Sequence, residues 1–211
     1  MKQFFTAFLC IIAISLSLIA KNSDVIIASK KLFIDAPDSI FPSIDHNTRL
    51  DMIDYYECGV NRASLDIFED SCKVSNIDSI SIIIETSPIL KHQLISLAPN
   101  TILLISTHSI PAKDSEISFY DYNWNKITTN KYITTPKFVD WLTKQGKLQQ
   151  RDLENTIPFF IVEYSYNPEN KILTLTNNLN NYFIKEDWNK ISHLIHNCLQ
   201  YKWTGRNFKQ L

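Results

Sequence analysis

Four residues near the start of the sequence have side chains and a spacing suited to binding. Asp51 and Asp54 lie three apart in a predicted helix, so both carboxylates fall on one face of it. Asp38 precedes them and Tyr55 follows, which makes these four the candidate site for a cation or a partner. The alternative is a solvated helix face, on which acids near the N-terminal end are favoured by the helix dipole. A calcium site needs more oxygen ligands than this stretch supplies, which favours the solvated face.

Two histidines and one glutamate are further candidates for chemistry. The spacing of His193 and His196 lets two rings reach one metal from a helix, but His193 projects to the polar side of the helical wheel. Zinc also needs three or four protein ligands, so we predict no metal site. Glu163 lies in a predicted strand, where a buried carboxylate would have a raised pKa and could act as an acid. An outward-facing carboxylate is the more common arrangement, and we predict no catalytic residue.

Several catalytic motifs are absent from the sequence. The chain has only 3 glycines, so it contains neither of the glycine-rich loops that bind phosphate in nucleotide-binding proteins. It also lacks the G-x-S-x-G, H-E-x-x-H and C-x-x-C motifs. A net charge of -1 provides no broad attraction to nucleic acid or to acidic lipid. These observations exclude the Walker and Rossmann classes and predict a protein with no cofactor and no nucleic-acid partner.

Residues 1–20 have the composition of a secretory signal peptide. Lys2 is followed by an almost wholly apolar run that ends at Ala20. An uncleaved membrane anchor is the alternative, but the apolar run of about 17 residues is at the short limit for crossing a bilayer. We therefore expect an exported protein, periplasmic or associated with the cell envelope, with no membrane span after cleavage.

The cysteines that remain after the predicted cleavage allow two interpretations. Cys58 and Cys72 are closest in sequence, and in an oxidising compartment they could form a disulfide. Cys198 would then remain an unpaired thiol. The alternative is that all three are small buried apolar residues. Sequence alone does not show whether the side chains of a pair face each other, so both interpretations stay open.

The helix that carries the candidate site has recognisable ends. Asp45 or Asn47 is a suitable N-cap, because a short side-chain oxygen accepts a hydrogen bond from the first turn. Gly59 is the expected stop, since glycine adopts the left-handed conformation after a helix without steric cost. Between these ends the helical repeat separates an apolar side from the acidic one. The predicted apolar side consists of Met52, Ile53, Tyr56 and Val60.

After this helix the pattern changes to short strands joined by polar turns, which is typical of an antiparallel sheet. The predicted strands are residues 63–68, 79–86, 89–97, 101–108, 116–124, 157–166 and 171–177. Two further helices are predicted, over residues 135–145 and 185–199. The chain ends in a predicted hairpin with a two-residue turn, which places Trp203 and Phe208 in the core.

The predicted fold is therefore a single α+β domain over residues 32–211, preceded by a flexible segment at 21–31. We expect a mostly antiparallel sheet of about six to eight strands with three main helices packed on it.

Two parts of the chain resemble a known family. The first is APDSIFP at residues 36–42, followed by Asn47 and by RLDMIDY at residues 49–55. The second is Glu-Asp-Trp at residues 186–188 and YKWTGRNF at residues 201–208. These motifs are similar to those of an uncharacterised family of secreted Bacteroidales proteins, domain of unknown function 3256. The resemblance implies a Bacteroidales envelope protein and implies no particular activity.

The sequence favours a non-catalytic binding or interaction module, secreted or periplasmic, whose partner is an unknown envelope protein or a small ligand. Its support is the signal peptide together with the missing catalytic motifs. Aromatic side chains on one face of the strand at 116–124 form a candidate contact face, namely Tyr120, Tyr122 and Trp124. The alternative is an envelope enzyme with an unrecognised acidic site near Asp51 and Asp54. A deep pocket with converging polar groups favours the enzyme, whereas a flat aromatic patch favours the binding module.

Overall fold

Within the described residues, 27–60 and 62–211 of a computed structural model, a seven-stranded antiparallel sheet follows the order of the chain. Its strands are β1 (Ser64–Leu65), β2 (Ser71–Ile77), β3 (Ser81–Ser87), β4 (Leu90–Ala98), β5 (Thr101–His108), β6 (Asp114–Tyr120) and β7 (Lys126–Ile127). The alternating segments and polar turns of this part of the sequence account for the meander. The predicted signal peptide lies outside the described residues.

The central strands β4 and β5 are buried on both faces of this sheet, which explains their almost continuous apolar sequence. Leu94 and Ile102 belong to the hydrophobic core on one face, and Ile95 and Leu103 to the core on the other. The first sheet therefore separates two cores, and each must be covered by another layer.

A second, four-stranded sheet covers the Ile95 face, with the strand order β11-β10-β9-β8. Its strands are β8 (Val162–Asn167), β9 (Ile172–Asn177), β10 (Cys198–Trp203) and β11 (Phe208–Gln210). Along β9 and β10 buried side chains alternate with more exposed ones, as expected for strands with one face on a core. Short helices occupy the connections around this sheet, namely α3 (Lys144–Leu148), α4 (Gln150–Thr156) and α5 (Lys185–Ile191).

Two earlier helices, α1 (Ser29–Ile34) and α2 (His46–Glu57), cover the Leu94 face of the first sheet. The predicted ends of α2 are confirmed. Asp45 caps it by accepting a hydrogen bond from the backbone N–H of Thr48 at 2.7 Å, and Gly59 follows in the left-handed region with φ of 64°. Helix α2 positions the predicted acidic face and Tyr55.

This architecture confirms the predicted fold class, a single α+β domain built mostly from antiparallel sheet with helices packed on it. The described residues contain 11 strands, more than predicted, and these form two sheets instead of one. Alternating apolar residues show that a strand has one buried face, but they do not show which sheet it joins.

The predicted helix at 135–145 is wrong. A short 3-10 turn occupies Phe138–Trp141, and the chain then extends so that Leu142 forms an antiparallel bridge with Ile195. Helix α3 starts after Thr143, whose hydroxyl accepts a hydrogen bond from the backbone N–H of Gly146 at 3.2 Å. A side chain at Gly146 would collide with the carbonyl oxygen of Leu194, so this position requires glycine. Long-range pairing overrides the local helical pattern here.

The last predicted helix, 185–199, begins at the expected residue but ends early. Helix α5 stops at Ile191, and Cys198 and Leu199 belong to strand β10, where Leu199 pairs with Leu175. A short apolar run does not distinguish a helix from a strand by its period, so the pattern did not locate the change.

The amino-terminal boundary also differs from the prediction. Helix α1 begins at Ser29, within the segment 21–31 that was predicted to be flexible. The Ser29 side chain is buried, and its hydroxyl donates a hydrogen bond to the carbonyl oxygen of Asp78 at 2.5 Å. Strand β2 was not predicted, because only Cys72 and Val74 among its residues are buried.

The carboxyl-terminal hairpin confirms the predicted core role of its aromatics. Trp203 pairs with Phe208 across β10 and β11, and both side chains are buried. The turn between them is longer than the predicted two residues. It is stabilised by the Thr204 hydroxyl, which donates to the carbonyl oxygen of Asn207 at 2.8 Å.

Candidate functional site

The segment that leads into α2 is organised by a buried arginine. Arg49 is 1% exposed, although it carries a full charge. Its Nε donates to the carbonyl oxygen of Ile44 at 3.0 Å, and its Nη1 donates to the carbonyl oxygens of Ala36 and Ile34. One guanidinium group thus satisfies several buried acceptors of the loop before the helix.

Asp38 completes this arrangement. Its carboxylate accepts a hydrogen bond from Nη2 of Arg49 at 2.8 Å, and the Asp38 side chain itself is 82% exposed. The pair therefore joins a buried cation to a carboxylate that remains in water, which lowers the cost of burying the charge. Asp38, predicted as a binding residue, instead forms an ion pair with Arg49.

The sequence contained a signal for the burial of Arg49. It precedes Met52 and Ile53 by three and four residues, so all three lie on the same face of α2, and all three are buried. Arg49 was assigned to neither side of the helix in the sequence-based prediction.

The two aspartates of the acidic face are exposed on α2. The contact of Asp38 is with Arg49 on the buried side of the helix, so the structure does not join Asp38 to Asp51 and Asp54 in one site. Among residues 27–60 and 62–211, no group of three or more His, Cys, Asp or Glu side chains is placed to hold a metal ion.

Tyr55, the fourth predicted residue, lines an open groove of about 780 Å³. The groove lies between the end of α2, the segment that follows it, and strands β1 to β3. Its charged and aromatic lining residues are Tyr55, Tyr56, Arg62, Lys73 and Glu85. We call this feature the α2–β2 groove.

Aromatic and charged groups meet inside the α2–β2 groove. The guanidinium carbon of Arg62 lies 5.6 Å from the centre of the Tyr55 ring, a cation–π contact. Across the groove floor, Nζ of Lys73 lies 3.3 Å from a carboxylate oxygen of Glu85. The groove therefore offers a flat aromatic ring, a guanidinium and an exposed ion pair to a ligand.

The last turn of α2 forms one wall of the groove, which corrects part of the predicted apolar side. Met52 and Ile53 are buried as expected, but Tyr56 and Val60 are 37% and 47% exposed. Tyr56 lies in the last turn of α2 and Val60 just after it, and both line the α2–β2 groove. The backbone N–H of Val60 donates to the carbonyl oxygen of Tyr55 at 2.9 Å and reverses the chain there.

The family assignment rests on a match over nearly the whole described chain. The family model described as "Protein of unknown function (DUF3256)" matches residues 25–208. The chain belongs to this family. No curated protein matches it.

A solved structure shares the fold of this DUF3256 chain. It is described as "Structure of a domain of an uncharacterized protein from Porphyromonas gingivalis W83". The TM-score is 0.70 at 17% sequence identity, and the match covers 87% of this chain and 100% of that chain. At this identity the likeness shows the fold alone.

Outside the groove, the predicted aromatic contact face is part of the packing of this family member. Tyr120, Tyr122 and Trp124 are half-buried against the core beneath α1 and α2. The hydroxyl of Tyr122 donates to the carbonyl oxygen of Ala98 at 3.1 Å and accepts from the backbone N–H of Ile27 at 3.2 Å. These rings therefore cover the core and do not form a free surface patch, contrary to the prediction.

The remaining sequence candidates also have defined surroundings. Glu163 is 20% exposed and lies between two lysines, 3.2 Å from Lys113 and 3.9 Å from Lys91. It is therefore an ion-paired carboxylate, which is neither isolated in apolar packing nor free in solvent. His193 and His196 are exposed.

The possible disulfide does not form. Cys58 is exposed at the end of α2, whereas Cys72 is fully buried on β2, so their side chains face different environments. Burial raises the pKa of the Cys72 thiol to about 11, and Asp66 adds to the shift. Within the described residues, Cys198 is a free, exposed thiol.

None of the helices in the described part of the chain has the length and the apolar composition of a membrane span.

Proposed function

We propose that this protein is an exported, non-catalytic binding module of the periplasm or cell envelope, and that its contact site is the α2–β2 groove. The observation that carries the proposal is the groove itself. Its volume of about 780 Å³ is within the usual range of ligand sites, roughly 300–1,000 Å³. Its partner is an envelope protein or a small ligand.

The lining of the groove supports binding. Tyrosine and arginine are enriched among the residues that contribute most to binding energy, because they offer large contact areas together with hydrogen bonds. Here Tyr55 and Arg62 are in contact with each other, so one ligand group can reach both side chains. The proposal retains Tyr55 from the predicted site and replaces the acidic face with the groove.

Site-specific crosslinking in the native cells tests the proposal. Val60 lines the groove and is 47% exposed, so a photoreactive phenylalanine analogue there reports what the groove contacts. Leu148, which is 87% exposed, is the matched control on another part of the surface. We expect an adduct at Val60 that disappears when Tyr55 is changed to Ala and persists when Asp51 and Asp54 are changed to Asn. No adduct at Val60, or the same adducts at Leu148, would contradict the proposal.

Export has its own test. N-terminal sequencing of protein from the periplasmic fraction should give a chain that begins near Lys21, because the signal peptide is removed. Finding only chains that begin at Met1 would contradict it.

A further inference from the structure

The outer edge of β2 is covered by a neighbouring strand over only part of its length. Strand β1 has 2 residues, and it pairs with β2 only at Ser71 and Cys72. From Lys73 to Ile77 the described part of the chain places β3 on one side and no strand on the other. Such an edge has backbone N–H and C=O groups directed away from the sheet and able to pair with another strand.

This uncovered edge borders the α2–β2 groove. Lys73, Val74 and Ser75 line the groove from the sheet side, and Tyr55 and Tyr56 line it from α2. A segment lying in the groove would therefore have backbone hydrogen-bonding groups on one side and aromatic rings on the other. This combination is found where domains bind extended peptides by adding a strand to a sheet.

The charges of the groove indicate what kind of peptide fits. Lys73 is paired with Glu85, whereas no described acidic side chain forms a salt bridge with Arg62. Arg62 therefore has no acidic partner among the described residues and lies over the Tyr55 ring. An acidic side chain on the bound segment would pair with this guanidinium.

Two features favour a single peptide over the edge of another sheet. The register between β2 and β3 shifts between Val74 and Asn76, and such a bulge bends the strand. Lys73 is a charged residue on the same edge. Bulges and lysines on edges are the usual means by which proteins prevent two sheets from joining.

We propose that the α2–β2 groove binds an extended acidic peptide of a partner protein, which pairs with β2 at Lys73 and beyond and directs a carboxylate to Arg62. This rests on the proposed binding function and specifies its ligand.

The test uses the full mature chain and a pool of fluorescent hexapeptides that alternate Thr or Glu with Val, Ile, Leu or Tyr. We expect saturable binding by fluorescence anisotropy. Methylating alternate backbone nitrogens should weaken binding about tenfold in the register that faces β2 and little in the other register. Amide hydrogen exchange of residues 73–77 should slow when the pool is bound. No binding of the pool, or equal binding in both methylated registers, would overturn the proposal.

A charge exchange tests the acidic specificity. Arg62→Glu should weaken binding of the acidic pool about tenfold, and a pool with Lys in place of Glu should recover it. Arg62 is exposed, so the variant should melt at the wild-type temperature. A pool preference that does not reverse would overturn the role of Arg62.

Two other outcomes separate this inference from the proposed function. A dimer in light scattering, with residues 73–77 already protected from exchange, would show that a second copy occupies the edge. A crosslink at Val60 that persists while the peptide pool fails to bind would leave the binding module standing and overturn strand addition.

Discussion

The outer edges of β8 and β2 differ in how their backbone hydrogen-bonding groups are satisfied. The edge of β8 is closed by side chains of the first sheet: Asp114 accepts from the backbone N–H of Val162 at 3.0 Å, and Ser115 accepts from that of Tyr164 at 3.0 Å. The side chain of Gln93 forms hydrogen bonds with both the backbone N–H and the backbone C=O of Tyr166. Its Oε1 accepts from the N–H at 3.0 Å, and its Nε2 donates to the carbonyl oxygen at 2.6 Å.

The edge of β2 has a two-residue strand over its first part and the open α2–β2 groove beside the rest. The difference shows that this chain can satisfy a sheet edge with its own side chains when the edge lies inside the fold. Water satisfies an exposed edge equally well and leaves it available for a partner. The position of an open edge beside an aromatic groove is thus the feature that distinguishes β2.

The largest expected effect comes from removing the strands that complete the second sheet. Deleting the chain after Leu199 removes most of β10, all of β11 and the buried Trp203 and Phe208. Each buried aromatic contributes about 3–5 kcal/mol, compared with about 5–15 kcal/mol for the stability of a whole domain. The truncated protein should be unfolded or insoluble by circular dichroism. A cooperative melt near that of the full chain would show that the second sheet is dispensable and end the comparison.

The packing of the loop that precedes α2 should depend on Arg49. Replacing it with Leu removes the donor to the carbonyl oxygens of Ile34, Ala36 and Ile44. Buried acceptors left without partners cost about 1–3 kcal/mol each, so we expect a loss of about 3–5 kcal/mol in urea unfolding.

Asp38→Asn is the matched control for the Arg49→Leu variant, because it removes the ion pair and keeps the contacts of Arg49 with the carbonyl oxygens. Because the Asp38 side chain is 82% exposed, the loss should be less than about 1 kcal/mol. Equal losses for the two variants would show that the ion pair, and not the carbonyl contacts, holds the loop to α2.

The free energy of unfolding should decrease in acid because His92 is buried in the core beneath α1 and α2. Burial lowers the pKa of His92 from 6.5 to about 4, and the neighbouring charge of His108 acts in the same direction. The unfolded chain therefore takes up a proton first as the pH falls, so stability is lost between pH 6.5 and about 4. At about 1.4 kcal/mol for each pKa unit, the loss is about 3 kcal/mol.

Urea unfolding of the wild type and of His92→Gln across this pH range isolates that contribution. Carboxylates titrate in the same range, but they affect both proteins alike, so the difference between the two curves reports His92. The ring lies 2.9 Å from the Ser106 hydroxyl and 3.3 Å from that of Thr86, and glutamine retains part of this hydrogen bonding. Parallel curves would show that His92 is accessible to protons in the folded state.

The smallest effects test the two edges directly. Gln93→Leu leaves the backbone N–H and C=O of Tyr166 without partners at the closed edge, which should cost about 1–3 kcal/mol. Lys73→Gln at the open edge removes one exposed ion pair with Glu85 and should cost less than about 1 kcal/mol. Thermal melts of both variants make the comparison. A larger loss for Lys73→Gln would show that the β2 edge is structural.

The sequence predicted those elements whose signals are local. The caps of α2, the strands β5 and β9 and the burial of Trp203 and Phe208 follow from side-chain period and turn chemistry. Local signals failed where distant pairing decided the backbone. Leu142, in the predicted helix at 135–145, forms a bridge with Ile195 instead. Leu199, in the predicted helix at 185–199, pairs with Leu175 of β9 as part of a strand.

The candidate site shows the same division more sharply. From the sequence alone, Asp38, Asp51, Asp54 and Tyr55 form one group, because they are close along the chain. Tertiary structure separates them: Asp38 pairs with Arg49, while Tyr55 lines a groove whose other wall comes from β2 and β3.

Periodicity and composition determined the fold class, since each strand or helix must bury one face whatever its neighbours are. The cover on each sheet edge, and hence the location of the groove, was decided only by how the strands and helices pack together. A residue's own sequence context records its backbone preference and its burial. It does not record how far a neighbouring strand will pair with it, and the length mismatch between β1 and β2 creates the open edge.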